Sequence, residues 1–140
     1  MTSTPDSSAP DFMTMSLGTL ADRMGVRLSE ARSGRVAATM PVEGNTQPYG
    51  LLNGGASAVL AETLGSIAGA IHAGPDHAVV GLDINCTHHR GVREGVVTAV
   101  ATPISEGRTI ASYEIRITDE DGRPVATARL TCLIRRLPNA

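Results

Sequence analysis

One apolar segment, residues 51–73, constrains the fold more than any other part of the chain. Between Glu43 and Asp76 the single formally charged residue is Glu62. At about 100° per residue, the apolar side chains form one helical stripe, which contains Ala56, Leu60, Leu64, Ile67 and Ile71. The opposite side has small residues in place of charged ones, namely Gly55, Ala58, Gly65 and Gly69. The pattern predicts a helix that is buried on both sides and has a face suited to the close approach of another backbone.

Most of the remaining chain has the pattern of short strands joined by tight turns. A short helix is expected at about residues 14–24, ended by Gly25, and a hairpin that turns at Ser33-Gly34 follows it. After the Gly74-Pro75 break come four strand patterns, at residues 79–88, 95–104, 109–118 and 123–135. Strands joined by short turns are antiparallel. We therefore expect an α+β fold in which an antiparallel sheet of about six strands, the last four in a meander, wraps around one long central helix.

Length, charge and cysteine content limit the class of protein. The 140 residues suffice for one domain, which we place at residues 13–137, after a leader at residues 1–12 that is rich in Ser, Thr and Pro and is expected to be disordered. The net charge of -2 argues against a nucleic-acid partner. The glycines and the acid in the apolar segment argue against a membrane span. Two isolated cysteines, Cys86 and Cys132, and no visible secretion signal favour the cytoplasm.

Glu62 is the strongest candidate for chemistry. A carboxylate in a buried helix is costly unless it is paired, hydrogen-bonded or protonated. Ser66 lies one turn further on and shares its face, while Asn53-Gly54-Gly55 at the helix start offers N–H groups and the positive end of the helix dipole. Acyl transfer needs one group that activates water or attacks and another that holds the developing oxyanion. The alternative is a structural acid that pairs with an Arg or a backbone donor at an interface.

Two amides and one basic cluster complete the candidate set. Gln47 and Asn53 could each orient a water molecule or a carbonyl, although Asn53 could equally be a helix N-cap and Gln47 a turn residue. The segment His88-His89-Arg90-Gly91-Val92-Arg93 ends a strand, and its arginines could hold phosphates or form a solvated strand end. No metal site is expected, because the histidines lack a Cys or carboxylate at a convincing ligand spacing.

These residues carry a resemblance to a known family. The run Gln47-Pro48-Tyr49-Gly50-Leu51-Leu52-Asn53-Gly54-Gly55, followed by Leu60-Ala61-Glu62-Thr63-Leu64-Gly65-Ser66, resembles the hotdog-fold acyl-CoA thioesterases. It is most similar to the branch that holds the 1,4-dihydroxy-2-naphthoyl-CoA thioesterase of menaquinone synthesis and the enterobactin proofreading thioesterase, with the 4-hydroxybenzoyl-CoA thioesterases related to it. Residues 80–85 and 88–95 match as well. The resemblance as a whole runs from about Leu17 to Arg135.

The resemblance implies a fold, an assembly and a set of roles. It implies dimers with a continuous sheet, paired into homotetramers, and active sites at the dimer interface. The catalytic set would be Glu62, Gly54, Gln47, Asn53 and Ser66. Substrate and coenzyme A would be bound by Gly55, His88, Arg90, Gly91 and Arg93.

Each role also follows from the resemblance. Glu62 would be the general base or the nucleophile. The N–H of Gly54 would polarise the thioester carbonyl, and Gln47 would reach in from the partner chain. Ser66 would support the same pocket, while Arg90 and Arg93 fall where the family binds the nucleotide and phosphates of coenzyme A.

Position 53 departs from the family, which usually has His immediately before the two glycines. Asn53 can donate a hydrogen bond to a carbonyl, but it cannot become a cation at neutral pH. The expected consequence ranges from almost none to a loss of about ten- to a hundredfold in rate.

Three functions stay open at this point. The favoured one is hydrolysis of an acyl-CoA thioester with an aromatic or bulky acyl group, such as 1,4-dihydroxy-2-naphthoyl-CoA or a benzoyl-CoA type, with no cofactor because coenzyme A is part of the substrate. The second is a catalytically weak hotdog module that binds acyl-CoA as a sensor or carrier, which Asn53 favours. The third is a structural oligomer in which Glu62 pairs across the interface.

Overall fold

One six-stranded sheet and two helices make up the described part of the chain. The computed structural model describes residues 11–139. The helices are α1 (Thr19–Arg23) and α2 (Gly54–Ala73). The strands are β1 (Arg27–Arg32), β2 (Arg35–Pro41), β3 (His77–His88), β4 (Val96–Glu106), β5 (Ile110–Thr118) and β6 (Pro124–Arg136). All neighbouring strands are antiparallel. The α+β fold predicted from the sequence, a sheet around one long helix, is confirmed.

The position of β3 corrects the expected meander. The sheet order is β1-β2-β4-β5-β6-β3, so β4, β5 and β6 are consecutive while β3 lies at the far edge beside β6. The reason is the long helix, which follows β2 in the chain and packs across all six strands. The strand after the helix therefore enters at the edge opposite β1.

The core lies between α2 and the sheet. Four residues of the predicted apolar stripe are buried there, namely Ala56, Leu60, Leu64 and Ile67, whereas Ile71 near the helix end is half-buried. By length and composition alone α2 would pass for a membrane span, as core helices often do. Its place against the sheet accounts for the apolar composition.

The small residues of α2 make room for side chains of the sheet and not for another backbone, which corrects the expectation. A Cβ added at Gly69 would lie 2.9 Å from Cγ1 of Val79 in β3. The side chain of Leu130 in β6 closes on Gly65 in the same way. Glycine at these two positions seats α2 directly on β3 and β6.

The N-terminal region differs from the expected helix over residues 14–24. Helix α1 has five residues, because Gly18 before it adopts φ 99° and no helix can run through that conformation. Phe12 and Leu17 lie half-buried against the core. Residues 1–10, most of the expected leader, lie outside the described residues.

Candidate active site

The loop between β2 and α2 shapes the start of the helix. The N–H of Gln47 donates to the carbonyl of Leu51 at 2.8 Å, and the side-chain oxygen of Gln47 accepts the N–H of Tyr49. The N–H of Leu52 donates to the carbonyl of Val92 at 2.7 Å. These bonds fold the loop into a tight turn and fasten it to the segment between β3 and β4.

A cavity of about 380 Å³ opens beside this loop, and we name it the helix-start pocket. Its lining brings together half of the predicted site residues, namely Gln47, Gly54, His88, Arg90 and Gly91. Within residues 11–139, the N–H of Gly54 has no hydrogen-bond acceptor, as is usual for the first residue of a helix. With the positive end of the helix dipole behind it, this N–H can hold a carbonyl oxygen or an anion.

Gly54 is covered by the ring of His88. A Cβ at position 54 would lie 2.9 Å from both Cε1 and Nε2 of that ring. On the other side of the pocket, a Cβ at Gly91 would lie 3.1 Å from the side chain of Leu51. The two glycines thus let the loop after β3 press against the helix start, and an imidazole lies beside the Gly54 backbone.

Asn53 is the N-cap of α2. Its Oδ1 accepts the N–H of Gly55 at 2.7 Å, and these two residues line another cavity, away from the helix-start pocket. Sequence patterns did not point to Asn45, whose Nδ2 donates to the carbonyls of Met24 and Pro41, both at 2.8 Å. The carbonyl of Asn45 also accepts the N–H of Asn53 at 2.8 Å, so it fixes the position from which the helix starts.

The two arginines of the basic cluster are separated. Arg90 lines the helix-start pocket and forms no ion pair within the described residues. Arg93 instead donates from Nη1 to the carbonyl of Tyr49 at 3.3 Å, where it supports the loop from outside. Arg90 is therefore the better placed of the two to meet a ligand in this pocket.

Glu62 lies further along α2, in a second cavity of about 360 Å³ that we name the mid-helix cavity. Ser66 and Phe12 line it as well. One carboxylate oxygen of Glu62 lies 2.5 Å from the place that a Cβ would take at Gly81, so β3 passes directly over the acid. Burial raises the pKa of Glu62 above its usual value.

The carboxylate of Glu62 has no partner among the described residues. No hydrogen bond or ion pair reaches it from any of residues 11–139. Its neighbour Cys132 is an uncharged thiol, because burial and the charge of Glu62 raise the pKa of that thiol to about 11. A desolvated carboxylate with a raised pKa and no partner has the properties of a general base.

One chain does not bring the acid and the helix start together. Glu62 follows Gly54 by eight residues, which is ~12 Å along the helix axis, whereas both must lie ~3 Å from the reacting group. The two residues line different cavities. The two groups therefore lie about two helical turns apart within one chain, and we refer to the helix-start pocket and the mid-helix cavity as its two half-sites.

Comparison with known proteins gives the family. The profile of the thioesterase superfamily matches residues 49–126, more than half of the chain. The chain belongs to the thioesterase superfamily. It is 45% identical to the proofreading thioesterase EntH of Cronobacter turicensis over 120 residues, which cover 85% of this chain and 88% of that protein. These relatives identify the chain as a thioester hydrolase.

Solved structures of thioesterases have the same fold. A thioesterase from Haemophilus influenzae superimposes with a TM-score of 0.83 at 42% identity, covering 86% of this chain and 85% of the other. A mutant thioesterase from Pseudomonas aeruginosa gives the same score and identity, with 86% and 88% covered. The hotdog fold predicted from the sequence resemblance is confirmed for this thioesterase.

Proposed function

We propose that this thioesterase hydrolyses an acyl-CoA thioester whose acyl group is aromatic or otherwise bulky. Water adds to the thioester carbonyl, the carbon–sulfur bond breaks, and a carboxylic acid and the coenzyme A thiol leave. The observation that carries the proposal is the unpartnered, partly buried carboxylate of Glu62 in the cavity that it shares with Ser66. An acyl-CoA of the 1,4-dihydroxy-2-naphthoyl or benzoyl type is the candidate substrate, with menaquinone synthesis as one pathway that would use the former.

Glu62 acts as general base for water or as nucleophile. Either role needs the ionised carboxylate, and its raised pKa makes it the stronger base. The N–H of Gly54 holds the oxyanion that develops on the thioester carbonyl, since such a donor stabilises the transition state more than the ground state. Gln47, in the same pocket, helps to orient the acyl group or the water.

The complete site forms between two copies of the chain. β3 is an edge strand of 12 residues with exposed apolar side chains, namely Val80, Leu82 and Ile84. An exposed apolar edge of this length favours pairing with another strand. Because Gly81 of this strand covers Glu62, pairing along β3 brings the second copy to the acid. We infer a homodimer in which Glu62 and Ser66 of one copy meet Gln47 and Gly54 of the other, and the family resemblance extends this to a homotetramer.

Coenzyme A binds at the rim of the helix-start pocket. Arg90 pairs with a phosphate there, while His88 and Gly91 form the wall against which the pantetheine arm lies. Arg93 supports the loop and lies close enough to its tip to add positive charge. Cys86 and Cys132 are both free thiols, as is typical of the cytoplasm, where we place the enzyme.

A second function is favoured by one observation. The Asn53 side chain is occupied as a helix cap, so it does not supply what the usual His of the family would. A catalytically weak module that binds acyl-CoA as a sensor or carrier would have this feature. The two functions differ in turnover, which the following experiment measures.

The test is thiol release from a panel of aromatic and aliphatic acyl-CoAs by wild type and Glu62→Gln. We expect turnover by wild type and a loss of at least about 10²-fold in Glu62→Gln, because a positioned base contributes about 10²- to 10⁴-fold. Glu43→Gln, in an exposed loop, is the matched control and should keep full activity. Full activity in Glu62→Gln would refute the mechanism. Tight binding by wild type without turnover would establish the binding module instead.

The pH dependence gives an independent check on Glu62. Because burial raises its pKa above 4.5, kcat/KM should fall as the pH drops through that raised value. Burial disfavours the ionised form of Glu62, so protonation of this carboxylate stabilises the folded state. This stabilisation is lost as the pH rises through the pKa that Glu62 has in the folded state. We therefore expect Glu62→Gln to raise the Tm at pH 7 and to lose this advantage below pH 4.5. A structural acid that pairs across an interface predicts a lower Tm at pH 7.

A further inference from the structure

A third cavity lies at the far end of α2, next to the mid-helix cavity. This distal cavity, of about 460 Å³, shares Phe12 and Ala70 with the mid-helix cavity. Beyond them its wall consists mainly of apolar side chains, among them Met13, Ile71 and Pro75. Phe12 and Ala70 therefore lie at the boundary between the two cavities.

The distal cavity begins well beyond the carboxylate of Glu62. Ala70 follows Glu62 by eight residues, which corresponds to ~12 Å along the helix. A second path gives a similar length, since Gly81 covers Glu62 and His77, which lines the distal cavity, precedes it by four strand residues, or ~13 Å. An acyl group that ends beside Glu62 leaves this cavity empty, whereas an elongated one reaches it.

We propose that the site selects elongated apolar acyl groups, whose far end passes between Phe12 and Ala70 into the distal cavity. This inference rests on the proposed function, because the carbonyl must lie beside Glu62. Ala70 is the specificity-determining residue, since its single methyl group leaves the passage open. A larger side chain at this position would close the passage two turns beyond Glu62, where it would lie against Ser66, one turn before it.

The chemistry of the lining sets the class of acyl group. Each methylene group that enters an apolar cavity can raise binding by up to about fourfold. A linear acyl chain should therefore gain with length once it is long enough to pass Ala70. A benzoyl group stays in the mid-helix cavity and gains nothing from the distal one.

The experiment is a chain-length series, from butyryl-CoA to dodecanoyl-CoA, with benzoyl-CoA beside it, measured as kcat/KM from thiol release. For wild type we expect kcat/KM to rise with chain length. Ala70→Leu should lower the ratio of dodecanoyl to butyryl by at least about tenfold, the equivalent of two methylene groups. Ile71→Ala, which enlarges the distal cavity alone, should shift the preferred length upwards.

Ala73→Leu is the matched control, because Ala73 is half-buried on the same helix and lies outside the lining of both cavities. It should leave the ratio of dodecanoyl to butyryl unchanged. A flat chain-length profile in wild type overturns the inference, as does an equal loss on both substrates in Ala70→Leu. These results leave the proposed hydrolysis intact if benzoyl-CoA is turned over, whereas no turnover of any substrate overturns both proposals.

Discussion

The two half-sites on α2 differ in chemistry. The helix-start pocket is lined in part by basic and amide side chains, and its loops are fixed by backbone hydrogen bonds such as that from Leu52 to Val92. It presents donors, the N–H of Gly54 and the guanidinium of Arg90. The mid-helix cavity has a similar share of apolar lining, and the charged group that it presents is the carboxylate of Glu62, an acceptor. One half-site can hold an oxyanion and phosphates, and the other can activate water.

In the proposed mechanism, neither region is complete alone. A donor pocket without a base binds a thioester but does not hydrolyse it, and a desolvated acid without an oxyanion donor has no bound carbonyl to attack. Variants that remove one function from one half-site and leave the other half-site intact measure the two contributions separately.

The largest effect is expected from the backbone N–H of the helix-start pocket. Gly54→Pro removes this N–H at the first helical position, where proline is well tolerated, and the extended ψ 128° of Asn53 suits a residue before proline. We expect kcat to fall by about 10²- to 10³-fold, the usual cost of losing one oxyanion donor. Gly54→Ala is the control, because it adds the same contact with His88 but keeps the N–H. Equal losses in the two variants would assign the effect to crowding and not to the oxyanion.

A smaller effect is expected at the rim of the same pocket. Arg90→Ala should raise KM by about tenfold with little change in kcat, because a charge-assisted bond to a phosphate is made equally in the ground state and the transition state. Arg93→Ala should raise KM less, since its guanidinium already bonds the carbonyl of Tyr49. Steady-state kinetics at two salt concentrations measure both. A larger increase of KM in Arg93→Ala than in Arg90→Ala would reverse the assignment.

The smallest effect is expected at the cap between the two regions. Asn53→Ala removes the acceptor for the N–H of Gly55 and should lower the free energy of unfolding by about 1 kcal/mol. The rate should change by less than about tenfold, because the side chain faces away from the helix-start pocket. Denaturant unfolding and thiol release measure the two quantities. A rate loss of a hundredfold or more with unchanged stability would make Asn53 a member of the catalytic set.

Local sequence patterns predicted the helices and strands of the fold, but they did not predict how the strand at the sheet edge pairs. The end of α2 at Ala73 and the strands after it follow from periodicity and from glycine and proline. The helix starts at Gly54 and not at Leu51, because the cap at Asn53 outweighs the apolar pattern before it. The place of β3 beside β6 depends on contacts between residues far apart in the chain, such as Gly81 and Cys132, which no local pattern encodes.

Some features of the candidate site could likewise be predicted from the sequence, whereas others depend on the three-dimensional arrangement. Glu62 was predicted because a lone acid in an apolar helix is conspicuous in any sequence. The closeness of His88 to Gly54 depends on where β3 ends relative to the helix start, so it follows from topology and not from residue type. Phe12 lies at the boundary between the mid-helix and distal cavities, although the sequence placed this residue in the leader.

The most direct test of the shared site is complementation between two inactive variants. Glu62→Gln lacks the base and Gly54→Pro lacks the oxyanion donor, so a mixed dimer holds one site with both defects and one site with neither. Dimers that carry one copy of each, isolated with two different affinity tags, should recover about half of the wild-type activity, as expected for one intact site of two in a symmetric dimer. Mixed dimers that stay as inactive as their parents would contradict the account, because each site would then take both residues from a single chain.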